Sequence, residues 1–324
     1  MSDDDVCAAF DWASAVEALA VAYGAGVDEA MFPPRSMARG KGMWLRTLTG
    51  ILPGQKVFGA KMIAASMTAR AASYLIPIFD GETMALTALI DGASVTGLRT
   101  AATSALAARK LCVEKAPRVA VIGSGFEART HLEALARSGG LGDVHVFSPR
   151  EASRAAFCAA MAGKNIAVGM ADSAEAAVAN ADLVICAARS RDETPTMLGS
   201  WLRPGMTVVS IGSTLPEQRE LDPEAIARAD LIVADMVEEV AHDTGDMIAA
   251  TQAGVQFADK IVSLTEVVSG THPGRTGAEQ VMLYKSVGGA IQDLAVAAMC
   301  VERATALGLG TTIPAPIRPV DKSK

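Results

Sequence analysis

The sequence predicts an α/β fold: a doubly wound parallel sheet accompanied by a smaller α+β unit with an N-terminal helix. Three observations carry that expectation. From residue 117 onward, short runs of Val, Ile, Leu and Ala alternate with helix-patterned stretches, as in a parallel sheet covered on both faces. At the head of that rhythm, Gly123-Ser124-Gly125-Phe126-Glu127-Ala128 fits G-x-G-x-x-A between a saturated strand and a helical pattern through Leu132, Leu135 and Ala136. The first hundred residues have strand composition and turn signals but lack the βα rhythm.

Taken in order, residues 2–10 read as a polar lead-in. Asp11 is an N-cap to a helix through residue 23, with Val16, Leu19 and Ala20 on one face and Gly24 and Gly26 at its end. Residues 31–42, rich in Pro, Arg and Gly, read as loop or edge. Stretches 43–52, 57–64 and 74–79 have strand composition, and Asp80-Gly81 and Asp91-Gly92 bracket residues 83–90 as turns. An alanine-rich helix over 100–111, ending in Arg109-Lys110, leads into the regular region. There the strands are expected at 118–122, 143–147, 165–168, 181–187, 206–212 and 230–234. Helices are expected from Phe126, over 151–161, over 174–180 and from Asp222-Pro223, where Asp is the N-cap and Pro opens the first turn. Residues 286–303 read as a long final helix, and 314–324 as a frayed end. Six strands in this rhythm match a Rossmann sheet with two mononucleotide-binding halves.

Composition narrows the function. A net charge of −7 offers no basic surface for nucleic acid or an anionic membrane, and no apolar run reaches spanning length. The N-terminus is acidic where a signal peptide needs basic residues. The five cysteines are widely spaced and the four histidines lack ligand spacing, so neither a disulfide framework nor a metal site is indicated. A reduced, cytoplasmic protein acting on a small molecule is expected.

The glycine turn specifies which one. Gly123 permits the tight strand-to-helix turn, Gly125 leaves room for a pyrophosphate, and Ala128 lets the helix pack closely on the sheet. The helix N-terminus opened by Phe126 and Glu127 offers unpaired N–H groups to the diphosphate. Where an NAD site would end its second strand in an acid, this chain has Ser148-Pro149-Arg150. A 2′-phosphate would be repelled by a carboxylate and held by Ser148 and Arg150, so NADP(H) is favoured over NAD(H). As a plain surface charge, Arg150 would sit at a helix start, where a cation is slightly unfavourable. Arg35, Arg46, Lys61 and Arg99 are candidates for gripping a substrate carboxylate; Lys61 is conspicuous among apolar neighbours.

Several stretches together are similar to the ornithine cyclodeaminase/mu-crystallin family. They are Gly97-Leu98-Arg99-Thr100-Ala101-Ala102-Thr103-Ser104-Ala105, Gly123-Ser124-Gly125, Ser210-Ile211-Gly212-Ser213, Arg219-Glu220-Leu221-Asp222, Thr244-Gly245-Asp246 and Tyr284-Lys285-Ser286-Val287-Gly288. The resemblance implies a homodimer in which residues 1–112 and 292–324 form a substrate-binding and dimerisation domain, and residues 113–291 the NAD(P)-binding Rossmann domain. It implies that Lys61 and Arg99 hold the substrate α-carboxylate, with Arg35 as a third cation and Arg46 the competing choice. Ser286 and Val287 then fall near the nicotinamide end, and Ala188, Arg189 and Ile211 at strand ends that touch the dinucleotide. The activity implied is NAD(P)H-dependent reduction of an α-imino acid or cyclic ketimine carboxylate to an α-amino acid, with Lys61, an ordered water or Thr214 relaying the proton. An alanine-type dehydrogenase acting with an α-keto acid, a cyclodeaminase and a non-catalytic NADPH-binding crystallin are the alternatives. Three positions depart from the family pattern. Thr214 stands where cyclodeaminases carry an acid, Arg150 lies one place later than in the Asn-Arg-Thr of NADP-using members, and Glu127 replaces a common Gln.

Overall fold

The structure is a computed structural model that describes residues 1–26, 29–188, 190, 193–314 and 317–322. The expected frayed end falls partly outside these residues. The chain divides into two compact units, Met1–Thr100 with Gly289–Lys324, and Ala101–Gly288. The divisions fall at 100/101 and 288/289, against 112/113 and 291/292 in the sequence reading.

The first unit is built on a five-stranded antiparallel meander, β1 (Ser36–Gly40), β2 (Met43–Ile51), β3 (Val57–Ser66), β4 (Ala71–Asp80) and β5 (Leu86–Asp91), in sequence order. The region expected as loop or edge contains the edge strand β1. Alternation sorts the side chains between two faces. Leu48, Lys61 and Ile63 face the interior, with Leu48 opposite Lys61 and Arg46 opposite Ile63 in the ladder. The inner face is covered by the Ala290–Leu307 helix, and the Trp12–Gly24 helix packs beside it. Close approach is possible because Gly59 has no side chain: a Cβ there would stand 2.3 Å from the Pro77 carbonyl oxygen and 3.1 Å from Leu294. On the other face Met43, Leu45, Ile51, Leu75 and Leu89 are exposed.

The polar lead-in is in fact a helix, Asp3–Ala9. Ser2 and Asp5 close a capping box over its first turn, and three acidic residues favour its dipole. Asp11 caps the next helix as expected, accepting the Ser14 N–H at 2.8 Å. The alanine-rich helix runs Ala93–Leu111, so Arg99 lies within it rather than before it.

Among its described residues the second unit holds eight parallel strands: β6 (Val119–Ile122), β7 (Val144–Phe147), β8 (Gly169–Met170), β9 (Leu183–Cys186), β10 (Thr207–Ser210), β11 (Leu231–Ala234), β12 (Ile261–Ser263) and β13 (Met282–Lys285). Their order is β12-β11-β13-β10-β9-β6-β7-β8, so the winding reverses between β6 and β9. The expected strand at 165–168 is displaced to Gly169–Met170. Asn165 instead takes a left-handed turn at φ 62°, and the Ile166 N–H bonds back to the Met161 carbonyl. Two strands went unpredicted, β12 and the central β13. The final helix begins at Ala290 rather than 286, because Gly288 turns the chain at φ 81° and Gly289 is the N-cap. Asp222 caps the Pro223–Arg228 helix as read from the sequence. No single helix among the described residues is long and apolar enough to cross a membrane.

Candidate active site

In the first unit the structure brings Lys61 of β3 together with Arg99. Lys61, fully buried on the inner sheet face, donates from Nζ to Asp293 Oδ1 at 2.7 Å. Arg99 donates from Nε to the same oxygen at 2.9 Å and from its terminal nitrogen to Gln292 Oε1. Gln292 in turn donates to the Tyr23 hydroxyl at 3.0 Å. Two buried cations thus converge on one carboxylate oxygen, while the second oxygen, Oδ2, is buried without a hydrogen-bond partner. Burial pushes the Lys61 ammonium down to about 8. Asp293 opposes that shift, and the positive charges of Arg99 and Arg35 add to it. Arg35 therefore lies within electrostatic reach of Lys61. Arg46 shares the inner face, with its guanidinium 5.3 Å from the centroid of the Trp44 ring. Sequence reasoning missed Asp293 and Gln292, although a Gln-Asp pair inside an apolar helical run is as conspicuous as Lys61 in its strand.

In the second unit the glycine turn has the geometry its sequence demands. Gly123 has φ 119°, and a Cβ there would stand 2.6 Å from the Ala187 carbonyl oxygen. A Cβ on Gly125 would meet nothing within 4 Å, and the Phe126–Ser138 helix it opens has no side-chain cap. That open, uncapped N-terminus fits a diphosphate. Ala128 is fully buried and Phe126 exposed. Glu127 folds toward its own helix, with Oε2 3.7 Å from His131 Nδ1. At the end of β7, Ser148 is half-buried and Pro149 and Arg150 are exposed. A second guanidinium, missed in the sequence, lies alongside: Arg154 donates to the Ser148 carbonyl at 2.8 Å and lies 5.8 Å from the Phe147 ring centroid.

A buried polar network ties the neighbouring strand ends together. Lys285, at the end of β13, pairs with Asp246 at 2.8 Å and donates to the Ser210 hydroxyl and the Ser213 carbonyl, both at 2.9 Å. Glu220 accepts the Ala188 N–H at 2.9 Å, and the Gly212 N–H and Ser210 hydroxyl each at 2.8 Å. Burial raises the Glu220 carboxyl to about 7, with Lys285 opposing and Asp246 reinforcing. Asp235 accepts the Ser286 hydroxyl at 2.6 Å and the Val287 and Gly288 N–H groups at 3.0 and 2.8 Å, fixing residues 286–288. Ile211 is buried, its N–H on the Cys186 carbonyl. Thr214 donates its N–H to Gln218 Oε1 at 2.9 Å. Arg189 lies outside the described residues.

A sheet wound both ways from β6 and β9, with a glycine turn opening an uncapped helix at the reversal, defines a Rossmann-type nucleotide-binding protein. The antiparallel unit adds a buried Lys–Arg–Asp cluster. The chain belongs to the ornithine cyclodeaminase/mu-crystallin family, whose model matches residues 47–307. It is 30% identical over 281 residues to the Delta(1)-pyrroline-2-carboxylate reductase of Bacillus cereus, covering 86% of this chain and 82% of the relative. Among solved structures it is similar to Thermococcus litoralis Delta(1)-pyrroline-2-carboxylate reductase in complex with NADH and L-proline. That match has a TM-score of 0.86 at 26% identity and covers 97% of this chain and 99% of the other. An archaeal alanine dehydrogenase dimer with bound NAD matches with a TM-score of 0.85 at 25% identity, over 97% and 98% of the two chains.

Proposed function

We propose that this protein is an NAD(P)H-dependent oxidoreductase acting on C–N bonds, reducing an α-imino acid or cyclic ketimine carboxylate to an α-amino acid. The observation that carries this reading is the pair of buried cations, Lys61 and Arg99, converging on Asp293 with Arg35 at electrostatic range. Such a cluster suits the α-carboxylate of a small anionic substrate, which the Arg99 fork grips and Lys61 neutralises. Fixing the carboxylate fixes the adjacent C=N carbon, and positioning of this kind supplies much of an enzymatic rate. Residues 123, 125, 126 and 128 hold the diphosphate of the dinucleotide. Ala188 and Ile211 follow its course across the strand ends, and Ser286 and Val287 take its nicotinamide end. Once bound, the dinucleotide supplies the hydride. Lys61 supplies the proton from Nζ: at about 8, its acidity is matched to transfer near neutral pH. Thr214, with no carboxylate to offer, argues against cyclodeamination.

NADPH is the preferred coenzyme in this reading, because Ser148 and Arg150 replace the ribose-binding acid. The exposed apolar sheet face of Met43, Leu45, Ile51, Leu75 and Leu89 suits burial against a second copy in a two-fold homodimer. Widely spaced, unpaired cysteines suit a cytoplasmic setting.

The test is a substrate screen following NADPH and NADH oxidation with cyclic pyrroline and piperideine carboxylates, and with pyruvate or glyoxylate plus amines. Turnover of the cyclic ketimines or amine adducts is expected. Turnover confined to pyruvate with ammonia would favour the second reading, an alanine-type dehydrogenase like the archaeal dimer. Coenzyme binding with no turnover would leave a crystallin-like binder.

A further inference from the structure

Glu220 precedes the Pro223–Arg228 helix and is fully buried, yet no chemical step of the proposed reaction uses it. Its carboxylate makes bonds in two directions. Oε1 takes the N–H of Ala188, which continues β9, and Oε2 takes the N–H of Gly212, which continues β10, together with the Ser210 hydroxyl. β9 and β10 are parallel neighbours, so one side chain fastens both loops leaving their carboxyl ends, where an open α/β sheet binds its ligand. The fit is tight: a Cβ on residue 212 would stand 2.3 Å from Glu220 Oε1. The main chain of Glu220 is itself anchored, because Asp246 Oδ1 accepts the N–H groups of Glu220 and Leu221 at 2.8 and 3.2 Å. The charged and titratable groups facing the carboxylate are Lys285 from β13, Asp246 from the Gly245–Gln252 helix and Cys186 from β9.

We propose that Glu220 is a positioning residue for the coenzyme: its carboxylate holds Ala188 and Gly212, where the chain leaves β9 and β10, in the one arrangement that accepts the dinucleotide. The proposal rests on the coenzyme reading above. Each carboxylate oxygen accepts a main-chain N–H, so the geometry favours the ionised form. Protonation weakens the protonated oxygen as an acceptor, whether its O–H turns to the Ser210 hydroxyl or to an N–H, and loosens the chain held there. With the carboxyl raised by burial to about 7, that change falls in the neutral range. Coenzyme affinity therefore rises with pH through neutrality. By reciprocity, bound coenzyme draws the carboxyl toward greater acidity.

The test is calorimetric titration of NADH, which lacks the titrating 2′-phosphate, into the full-length protein between about pH 6 and pH 8, with melting curves at each pH. The wild type should lose about tenfold or more in affinity on going to the acid end, the scale of a charge-assisted hydrogen bond. Glu220→Gln should bind weakly throughout and lose the pH dependence. Ser210→Ala removes a bond that favours the ionised carboxyl and should move the wild-type midpoint to higher pH. An unchanged midpoint in Ser210→Ala overturns the proposal even if Glu220→Gln fails to fold. A flat wild-type profile, or wild-type affinity in Glu220→Gln, overturns the role of Glu220 alone. If neither NADH nor NADPH binds the wild type at about pH 8, the coenzyme reading falls and this proposal with it.

Discussion

Asp293→Asn isolates the charge on which Lys61 and Arg99 converge while keeping the size of the side chain. Asp293 is wholly buried, and the Lys61 and Arg99 side chains are only 2% and 7% exposed, so water replaces little of what the carboxylate supplies. Removing one partner of a buried ion pair typically costs about 3–5 kcal/mol. For an unfolding unit of this size that lowers the melting temperature by roughly 6–20 °C. The loss should depend on pH. The Lys61 ammonium, ordinarily near 10.5, lies at about 8 because of burial, and Asp293 is the strongest influence holding it up. Without that anion it falls further, toward neutrality. A lysine depressed in the folded state contributes stability that is present above its unfolded value and lost as pH falls through its folded value. In the wild type this gain runs from about 8 to 10.5; in Asp293→Asn it begins lower, so the variant recovers part of its deficit on going from about pH 6.5 to pH 9. Substrate KM should rise in the wild type above about pH 8 as Lys61 discharges, and in the variant from a lower pH. Thermal melts and steady-state kinetics at the two pH values read both effects. A variant that melts within about 2 °C of wild type with an unchanged KM profile would refute the reasoning, since its cations would not depend on this carboxylate.

Lys61→Met and Arg99→Met should each lower kcat/KM by about thirty- to several-thousand-fold while leaving coenzyme affinity intact, because a desolvated substrate carboxylate loses a partner worth on the order of 2–5 kcal/mol. Near-normal kcat/KM in either variant would remove that residue from the site. Arg150→Ala should weaken NADPH by about tenfold or more and leave NADH nearly unchanged; equal losses for both coenzymes would contradict a 2′-phosphate role. Light scattering at micromolar concentration should find a dimer, and Leu45→Lys, which sets a charge in the exposed apolar face, should yield monomers.

Where the sequence was readable, the signal was local. The β6 strand, the Gly123–Gly125 turn and the following helix are contiguous, and each residue type there answers a steric demand that its neighbours define. Asp11 and Asp222 announced helix starts for the same reason. The failures were of two kinds. Very short elements carry too little pattern: β8 has two residues and β12 three, while the four of β13 run into the sequence of the final helix. Polar clusters assembled from distant elements carry none. Asp293 meets Lys61 across 232 residues, and Glu220 gains its function from donors on β9 and β10. Lys61 stood out because an apolar strand surrounds it; Glu220 and Asp246, quoted only as pieces of family motifs, gave no hint that they share a network through Lys285.

The split of the first unit sets a schedule for the nascent chain. Its strands and the Lys61 ammonium are synthesised early, whereas the Ala290–Leu307 helix that covers them and carries Asp293 arrives after the whole second unit. At about 5–20 residues per second, the 232 residues between Lys61 and Asp293 take roughly 10–50 s to make. During that interval β2–β5 hold Leu48, Ile63, Ile76 and Ile78 uncovered on one face, with Met43, Leu45 and Leu75 on the other. The second unit is contiguous and needs nothing later than Gly288, so it is free to close first. Synthesis of the Ala290–Leu307 helix is therefore the step that completes the first unit. A stall or truncation before residue 289 leaves a folded nucleotide-binding unit attached to a sticky, charge-bearing sheet, the kind of species that chaperones retain and proteases remove.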